Sequence, residues 1–251
     1  MVVPSIDAAT QDLQASQVWA RPRSDAASLA EPVSASTRAP LRACAGSDLE
    51  QLDEPAPRPL RAHQPTGEMD LLAAEAAAAD FLEALGLGLE SEHLRATPGR
   101  MARAWAEMLT PRPFEMTTFP NDEGYDEMVL AREIPFRSVC EHHLLPFTGR
   151  ACVAYLPGDR ILGLSKLARV VEHFACRPQT QERLTKQVAD WLQDRLAPRA
   201  VGVVMAAEHS CMTLRGVQAT GSSTVTSTLL GKLRSDPRSR QEFLSLAGVT
   251  R

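Results

Sequence analysis

A short run of metal-binding residue types stands near the middle of the chain, in Ser138-Val139-Cys140-Glu141-His142-His143. Two residues separate Cys140 from His143, a spacing that lets a thiolate and an imidazole reach one metal ion. This pair of ligand types suits zinc. A second segment, Glu208-His209-Ser210-Cys211, adds another imidazole and another thiolate. If it forms a strand, the side chains at 209 and 211 point to the same face.

The two segments together favour a zinc site made by Cys140, His143 and Cys211. Three protein ligands leave a fourth position for water, as in catalytic zinc sites, whereas structural sites normally close with four protein ligands. His142 and His209 are then available for proton transfer, because an imidazole titrates near neutral pH. Buried thiols and hydrogen-bonded histidines without a metal are the alternative. This alternative is less favoured, because thiols and imidazoles that can bind a metal ion are concentrated in two short segments.

A third segment, Gly163-Leu164-Ser165-Lys166-Leu167-Ala168-Arg169, has features of an anion site. A helix that begins at Ser165 has free backbone N–H groups in its first turn, and its dipole favours an anion there. Lys166 adds a positive charge, and Arg169 follows one turn later. The Gly-rich run and Gly-Lys-Ser/Thr ending of a P-loop are absent from the segment. An ordinary solvent-exposed helix start is the alternative interpretation.

Glu182 stands in a fourth segment, Gln181-Glu182-Arg183-Leu184-Thr185. A carboxylate at the start of a helix usually caps the helix or interacts with its dipole, and the residues alone favour that interpretation. The alternative is purine recognition. One carboxylate can accept from guanine N1–H and from the exocyclic amine beside it, an arrangement that adenine does not offer.

Composition limits the classes of function. The chain has 251 residues, 44% of them hydrophobic, and a formal net charge of −4, which fits one or two domains and argues against a bulk nucleic-acid binder. Its apolar runs fall short of the roughly 20 residues of a membrane helix, and the N-terminus does not have the order of a signal peptide. The five cysteines are unevenly spaced, which favours reduced thiols in the cytoplasm.

Three regions follow from the pattern along the chain. Residues 1–66 contain eight of the 18 prolines and predict a disordered extension. Residues 67–127 predict a helix from about Leu71 to Leu85, a second helix capped by Thr97 with Pro98 in its first turn, and a loop over 110–127.

Residues 128–251 predict the main domain. Strands are expected at 128–138, 149–156, 200–208 and 211–217, with helices at 165–177 and 180–197 between the second and third. A strand-like segment at 222–229 and a helix from Pro237 follow. The order β-β-α-α-β-β predicts an α+β fold, with two helices on one face of an antiparallel four-stranded sheet.

Five motifs occurring in one order resemble GTP cyclohydrolase I, the zinc-dependent type. They are Cys-Glu-His-His at 140–143, Gly-Leu-Ser-Lys-Leu-Ala-Arg at 163–169, Gln-Glu-Arg-Leu-Thr at 181–185, His-x-Cys at 209–211 and Arg-Gly-Val at 215–217. The resemblance covers roughly residues 70–250. It implies the tunnelling fold, a ring-shaped homodecamer with active sites between subunits, and one Zn²⁺ per subunit.

The resemblance also implies roles for individual residues. Cys140, His143 and Cys211 match zinc ligands, and His142 and His209 match histidines of the acid–base steps. Gln181 and Glu182 match a guanine-recognition pair, which replaces the capping interpretation of Glu182. Residues matching triphosphate binding or the later rearrangement are Ser165, Lys166, Arg169 and Arg215, together with Arg95, which matches an arginine donated to a neighbouring subunit.

The implied reaction converts GTP and water to 7,8-dihydroneopterin triphosphate and formate, the first step of tetrahydrofolate and pterin synthesis. One departure is Ala206, where many relatives carry an acidic residue; Glu208 is the nearby carboxylate that could compensate. Three alternatives stay open: a tunnelling-fold nitrile reductase or pterin synthase, an inactive paralogue, and a protein with a structural zinc site.

Overall fold

A computed structural model of the protein describes residues 67–248; the extension predicted for residues 1–66 lies outside the described residues. The described part contains seven helices and seven strands. In chain order they are α1 (Leu71–Ala84), α2 (Thr97–Leu109), β1 (Thr118–Pro120), β2 (Val129–Cys140), β3 (Pro146–Leu156), β4 (Arg160–Leu162), α3 (Ser165–Ala175), β5 (Pro178–Gln179), α4 (Gln181–Leu196), β6 (Ala200–His209), α5 (Ser210–Thr213), β7 (Thr224–Gly231), α6 (Lys232–Ser235) and α7 (Pro237–Leu246).

The main sheet has five strands in the order β5-β2-β3-β6-β7. Its four long strands are antiparallel neighbours, and the two-residue β5 pairs in parallel with the end of β2. The helices α3 and α4 pack on one face of this sheet. The predicted α+β class, with two helices covering one face of four antiparallel strands, is therefore confirmed.

The core lies between that face and the two helices. Alternate residues of β3 and β6 point inward and meet apolar side chains of α3 and α4, as expected for strands with one face against helices. Each fully buried aliphatic side chain contributes about 1.5–3 kcal/mol. Representative fully buried members are Val153, Tyr155, Leu167, Val171, Leu184, Val188, Leu192, Val203 and Met205.

The opposite face of the sheet carries a smaller cluster that holds α6 and α7. Phe243 of α7 and Leu233 of α6 are fully buried against it. Gly202 of β6 makes this approach possible, because an added Cβ would lie 2.8 Å from the Phe243 ring. The C-terminal helices therefore hold β6, which leads directly into the His209–Cys211 segment.

The predicted strand at 211–217 is wrong. β6 ends at His209, and Ser210–Thr213 form the single helical turn α5. Gly216 within that range and Gln218 just after it have positive φ values of 61° and 50°, far from the φ of about −120° to −140° of a regular strand. The fourth long strand is instead β7, which corresponds to the Thr/Val/Ser-rich segment expected at 222–229.

Two other predictions need correction near the N-terminal side. The expected loop 110–127 contains β1, which pairs with β4 in a separate two-stranded sheet. Thr97 is the first helical residue of α2 rather than its cap; Ala96 occupies the cap position and makes no side-chain capping bond. Among residues 67–248, no helix combines the length and apolar character needed to cross a bilayer.

Candidate metal and substrate site

Cys140, His143 and Cys211 come together at one end of the sheet. Cys140 ends β2, and Cys211 lies in α5 directly after β6. β3 lies between these strands and pairs with both, so Phe147 is opposite Ser138 on one side and His209 on the other. The three ligand atoms lie within 4.8 Å of one another, and Cys140 Sγ is 3.7 Å from His143 Nδ1.

The donor set and its dimensions fit a metal ion. In a tetrahedral zinc site, bonds of about 2.3 Å to sulfur and 2.0 Å to nitrogen separate neighbouring ligand atoms by about 3.6–3.8 Å. Burial raises the pKa of the Cys211 thiol, and the adjacent Cys140 sulfur raises it further. A bound cation would offset this cost, because a coordinating thiol is deprotonated. The three residues therefore form a group able to hold a metal ion.

The local backbone explains how Cys140 and His143 face the same point. After β2 the chain reverses in a tight turn, in which the N–H groups of His143 and Leu144 both donate to the Cys140 carbonyl. Leu144 has a φ of 51°, which completes the reversal into β3. For Cys211, the expected alternation of a strand does not apply, because α5 carries this residue; the helical turn nevertheless brings its sulfur to the group.

His209 has two close protein partners. Its ring stacks on Phe147, with centroids 4.4 Å apart and planes 7° apart, and His209 Nε2 lies 2.8 Å from Gln181 Oε1. Burial lowers the pKa of His209, and the negative charge of Glu182 partly offsets that effect. At neutral pH the imidazole is therefore biased toward its neutral form.

The guanine-recognition residues predicted in α4 differ in environment. Gln181 is 2% exposed, and its side chain is hydrogen-bonded at both ends to protein atoms. Glu182 is exposed. Thr180 occupies the cap of α4 and accepts from the Arg183 N–H, so the capping role considered for Glu182 belongs to Thr180. The Glu182 carboxylate is thus directed to solvent near His209.

His142 lies beside the metal-binding group, with its side chain 65% exposed. Its Nδ1 is 3.9 Å from Cys140 Sγ. Arg215 is exposed, and its positive charge offsets a small part of the rise that burial causes in the pKa of the Cys211 thiol. Both residues therefore belong to the same end of the sheet as the ligand atoms.

The remaining predicted anion-binding residues lie on other segments. Ser165 and Arg169 are exposed in α3, and Lys166 is half-buried. The expected set of free N–H groups is smaller than predicted, because Lys166 N and Leu167 N donate to Gly163 and Leu164 carbonyls. Arg95 is exposed before α2, where its guanidinium contacts the Glu90 carbonyl. Within residues 67–248, no hydrogen bond or ion pair joins these four residues to the Cys140–His143–Cys211 group.

Ala206 and Glu208 do not lie on the His209 side of the sheet. The inward-facing residues of β6 are Val203, Met205 and Ala207, so the side chains of Ala206 and Glu208 point to the opposite face. Glu208 is exposed there. The nearby carboxylate that influences the pKa of His209 is Glu182, so Glu208 does not compensate for Ala206.

A largely buried ion pair in the site, between Arg183 and Glu141, was not predicted from the sequence. The Arg183 guanidinium binds the Glu141 carboxylate and also donates to Gln179 Oε1 at 2.8 Å and to the Pro178 carbonyl at 3.0 Å. It therefore connects the first turn of α4 to the turn that contains His142 and His143. The sequence signal for this contact was that Glu141 and Arg183, which carry opposite charges, lie inside two of the motifs that resemble the family.

Comparisons with known proteins identify the family of this chain. The GTP cyclohydrolase I family model matches residues 74–248. The chain is 52% identical over 166 residues to GTP cyclohydrolase 1 of Aquifex aeolicus, a match that spans 66% of this chain and 90% of that protein. It is 48% identical over 202 residues to the Rhodopirellula baltica enzyme, with 79% and 88% covered. It is also 50% identical over 185 residues to the Streptomyces avermitilis enzyme, with 72% and 92% covered. The chain therefore belongs to the GTP cyclohydrolase I family and has its tunnelling fold.

Proposed function

We propose that this protein opens the imidazole ring of GTP by hydrolysis, producing 7,8-dihydroneopterin triphosphate and formate. The observation that carries the proposal is the convergence of Cys140, His143 and Cys211 at the sheet end that also holds His209. This set combines a three-ligand metal group with an imidazole suited to proton transfer. Such an activity would begin tetrahydrofolate or pterin synthesis.

We infer that Cys140, His143 and Cys211 hold one Zn²⁺ per subunit. Zinc bound by three protein ligands supplies Lewis acidity and an acidified water molecule. The thiols must be reduced for this role, which supports the proposal of a cytoplasmic enzyme.

Other side chains of the chain bind GTP and move protons. The Glu182 carboxylate accepts from guanine N1–H and the exocyclic amine, as predicted for the Gln181–Glu182 pair. Ser165, Lys166, Arg169 and Arg215 bind the triphosphate or support the later rearrangement, in which Ser165 has a catalytic role. Holding both ends of the nucleotide fixes the position of the purine C8 atom, so that remote binding energy supports the reaction. His209 gives a proton to the ring nitrogen released when the C8–N bond breaks, and His142 is a second proton carrier.

The active unit is proposed to be a homodecamer with sites between subunits. Exposed apolar side chains adjoin several site residues: Leu144 is 51% exposed, Leu164 70%, Leu214 75% and Val217 72%. Apolar residues clustered around polar sites mark surfaces that another chain covers. Contact with a neighbour would also bring Arg95 to a second chain's triphosphate.

The first test is purified, metal-quantified protein incubated with GTP, with ATP as the control nucleotide. Formate release and pterin fluorescence after oxidation report the reaction. We expect product from GTP alone, lost on chelation and restored by zinc, because guanine recognition and the metal group both contribute.

A Cys211→Ser variant separates the catalytic role of the metal group from a structural zinc role. We expect a folded oligomer with reduced zinc content and little product. A folded, zinc-loaded wild-type protein that gives no product from GTP would contradict the proposed activity and favour an inactive paralogue. Product from another purine but not from GTP would favour a different tunnelling-fold reaction.

A further inference from the structure

The buried side chain of Gln181 carries an inference that rests on the proposed function and deepens it. We propose that Gln181 is a positioning residue that holds His209 as the Nε2–H tautomer, so that His209 exchanges protons with the substrate at Nδ1. The resemblance instead predicts Gln181 as half of a guanine-recognition pair. The hydrogen bonds of its side chain decide between these roles.

The orientation of the Gln181 amide follows from its neighbours. The atom assigned as Nε2 faces three acceptors: the Met205 carbonyl at 3.1 Å, the Thr224 carbonyl at 2.9 Å and Thr226 Oγ1 at 3.2 Å. The two carbonyl oxygens cannot donate. Reversing the amide would set its oxygen against these two carbonyl oxygens and lose the bonds that Nε2 donates to them, at a cost of about 1–3 kcal/mol.

A chain of hydroxyl groups fixes the same orientation independently. The single hydrogen of the Thr185 hydroxyl is donated to the Gln181 backbone carbonyl, at 2.7 Å. The 2.6 Å contact between the hydroxyls of Thr185 and Thr226 therefore requires Thr226 to donate. Since the Thr226 hydrogen is then used, its oxygen accepts from Gln181 Nε2.

This orientation leaves Gln181 Oε1 facing His209 Nε2 at 2.8 Å. An amide oxygen can only accept, so the hydrogen in this bond belongs to His209 Nε2. The neutral imidazole then has its lone pair on Nδ1, and the imidazolium keeps the same bond to Gln181. Phe147, stacked on the ring, limits the tilt of its plane. The ring can thus gain and lose a proton at Nδ1 without changing this contact.

The same hydrogen bonds leave the Gln181 side chain little capacity for substrate. It is 2% exposed, and both of its polar atoms have protein partners. Glu182, the next residue, is exposed. Glu182 is therefore the side chain that recognises guanine, and Gln181 is the side chain that positions His209.

Neutron crystallography of the zinc-loaded protein, at mildly alkaline pH where His209 is neutral, tests the tautomer directly. We expect deuterium on His209 Nε2 and none on Nδ1. Deuterium on Nδ1 with none on Nε2 would overturn the proposal. This readout does not depend on turnover, so it is independent of whether GTP proves to be the substrate.

Kinetics with GTP distinguish positioning from guanine recognition. Gln181→Met removes the acceptor, and we expect kcat to fall about 10- to 100-fold while KM stays close to the wild-type value. Gln181→Glu keeps an acceptor oxygen opposite Nε2 and, when its second oxygen is protonated toward the Met205 and Thr224 carbonyls, should retain more of kcat than Gln181→Met. The matched control is Glu182→Gln, for which we expect KM to rise. Zinc content and circular dichroism verify that each variant is folded. A higher KM with unchanged kcat in Gln181→Met would refute the positioning role.

Discussion

At the scale of single residues, burial alone does not give a histidine its role. Burial lowers the pKa of both His173 and His209. His209 stands beside a metal-binding group and hydrogen-bonds to Gln181, whereas His173 lies edge-on to the rings of Phe114 and Phe174. The Arg177 guanidinium also lies near His173, and its positive charge lowers the pKa of His173 further. The surroundings of His173 thus indicate a packing role.

His173 predicts a pH dependence of stability. Its folded-state pKa lies below the ordinary value of 6.5, so the unfolded chain binds the proton more readily than the native chain. Its contribution is therefore present above about pH 6.5 and is lost as the pH falls through the folded-state pKa. We expect the free energy of unfolding to decline less steeply below about pH 6.5 in His173→Phe than in the wild type.

Urea denaturation at a series of pH values measures this difference. His93→Phe is the matched control, because His93 is exposed. In this variant the free energy of unfolding should fall with decreasing pH as steeply as in the wild type. If the free energy of unfolding fell equally steeply with decreasing pH in His173→Phe and in the wild type, protonation of the His173 imidazole would not contribute to acid destabilisation.

Residue type and spacing were sufficient to identify the metal-binding group but not the environment of Gln181. The two thiols and the imidazole of Cys140, His143 and Cys211 are chemically distinctive, and two of the three residues occur in one short motif. Gln181, in contrast, is held by the carbonyls of Met205 and Thr224. Which distant backbone atoms approach a side chain depends on strand pairing in the folded chain, which local sequence does not specify.

At the scale of elements, the first turn of α4 and the turn after β2 form one unit. Arg183 joins them through Glu141, and the side chains of the pair are 10% and 22% exposed. Their connection continues through Gln179, whose amide donates to the Phe174 carbonyl at the end of α3. The elements that carry His143 and Glu182 are therefore held in one relative position by a nearly buried polar network.

Replacing Arg183 should disturb both stability and metal binding. Arg183→Leu leaves the Glu141 carboxylate without its partner, and we expect a loss of about 2–4 kcal/mol in the free energy of unfolding. Because Glu141 adjoins Cys140, zinc should also be released to a chelator faster. Urea denaturation and a colorimetric zinc-release assay measure the two effects.

Lys186→Leu provides the control on the same helix. Lys186 pairs with Asp190 one turn later, but both side chains are substantially exposed, so its loss should cost only about 0.3–0.5 kcal/mol. Equal effects of the two substitutions would mean that the Arg183–Glu141 pair behaves as an ordinary surface pair.

Element prediction succeeded where a single period extended over many residues. The long strands β2, β3 and β6 and the helices α3 and α4 were expected close to their observed positions. The error at 211–217 has a local cause: the one-turn helix α5 follows β6 without a gap, and the positive-φ residues Gly216 and Gln218 come shortly after it. Such short irregular turns have no period to detect, and this one contributes Cys211.

At the scale of the whole molecule, the described chain leaves both edges of its main sheet accessible. β7 is one edge strand, and β5 covers only Val139 and Cys140 of β2 at the other. Unpaired strand edges pair readily with another chain. The exposed Leu164 and Leu214 adjoin Ser165 and Arg215. The architecture therefore favours assembly through surfaces that include parts of the site.

Assembly makes a prediction about which chain supplies each residue of a site. If Arg95 acts on a neighbour's triphosphate, Arg95→Ala and His209→Asn should each give weakly active homo-oligomers that assemble normally. Mixed oligomers contain sites that combine His209 of one chain with Arg95 of the other. Random assembly of equal amounts would leave about a quarter of the sites with both residues intact.

Co-expression of the two variants with different affinity tags, followed by sequential purification, isolates the mixed oligomers. We expect formate release from GTP to recover well above that of either parent, because each defect is supplied by the other chain. The control is a double variant, Arg95→Ala with His209→Asn, co-expressed with wild type: the fully intact sites are again about a quarter, now contributed by two wild-type neighbours. If Arg95 served its own chain, mixing the single variants would restore no site, whereas the control would retain about half. The ratio of the two mixtures therefore decides whether the catalytic unit is one chain or a pair.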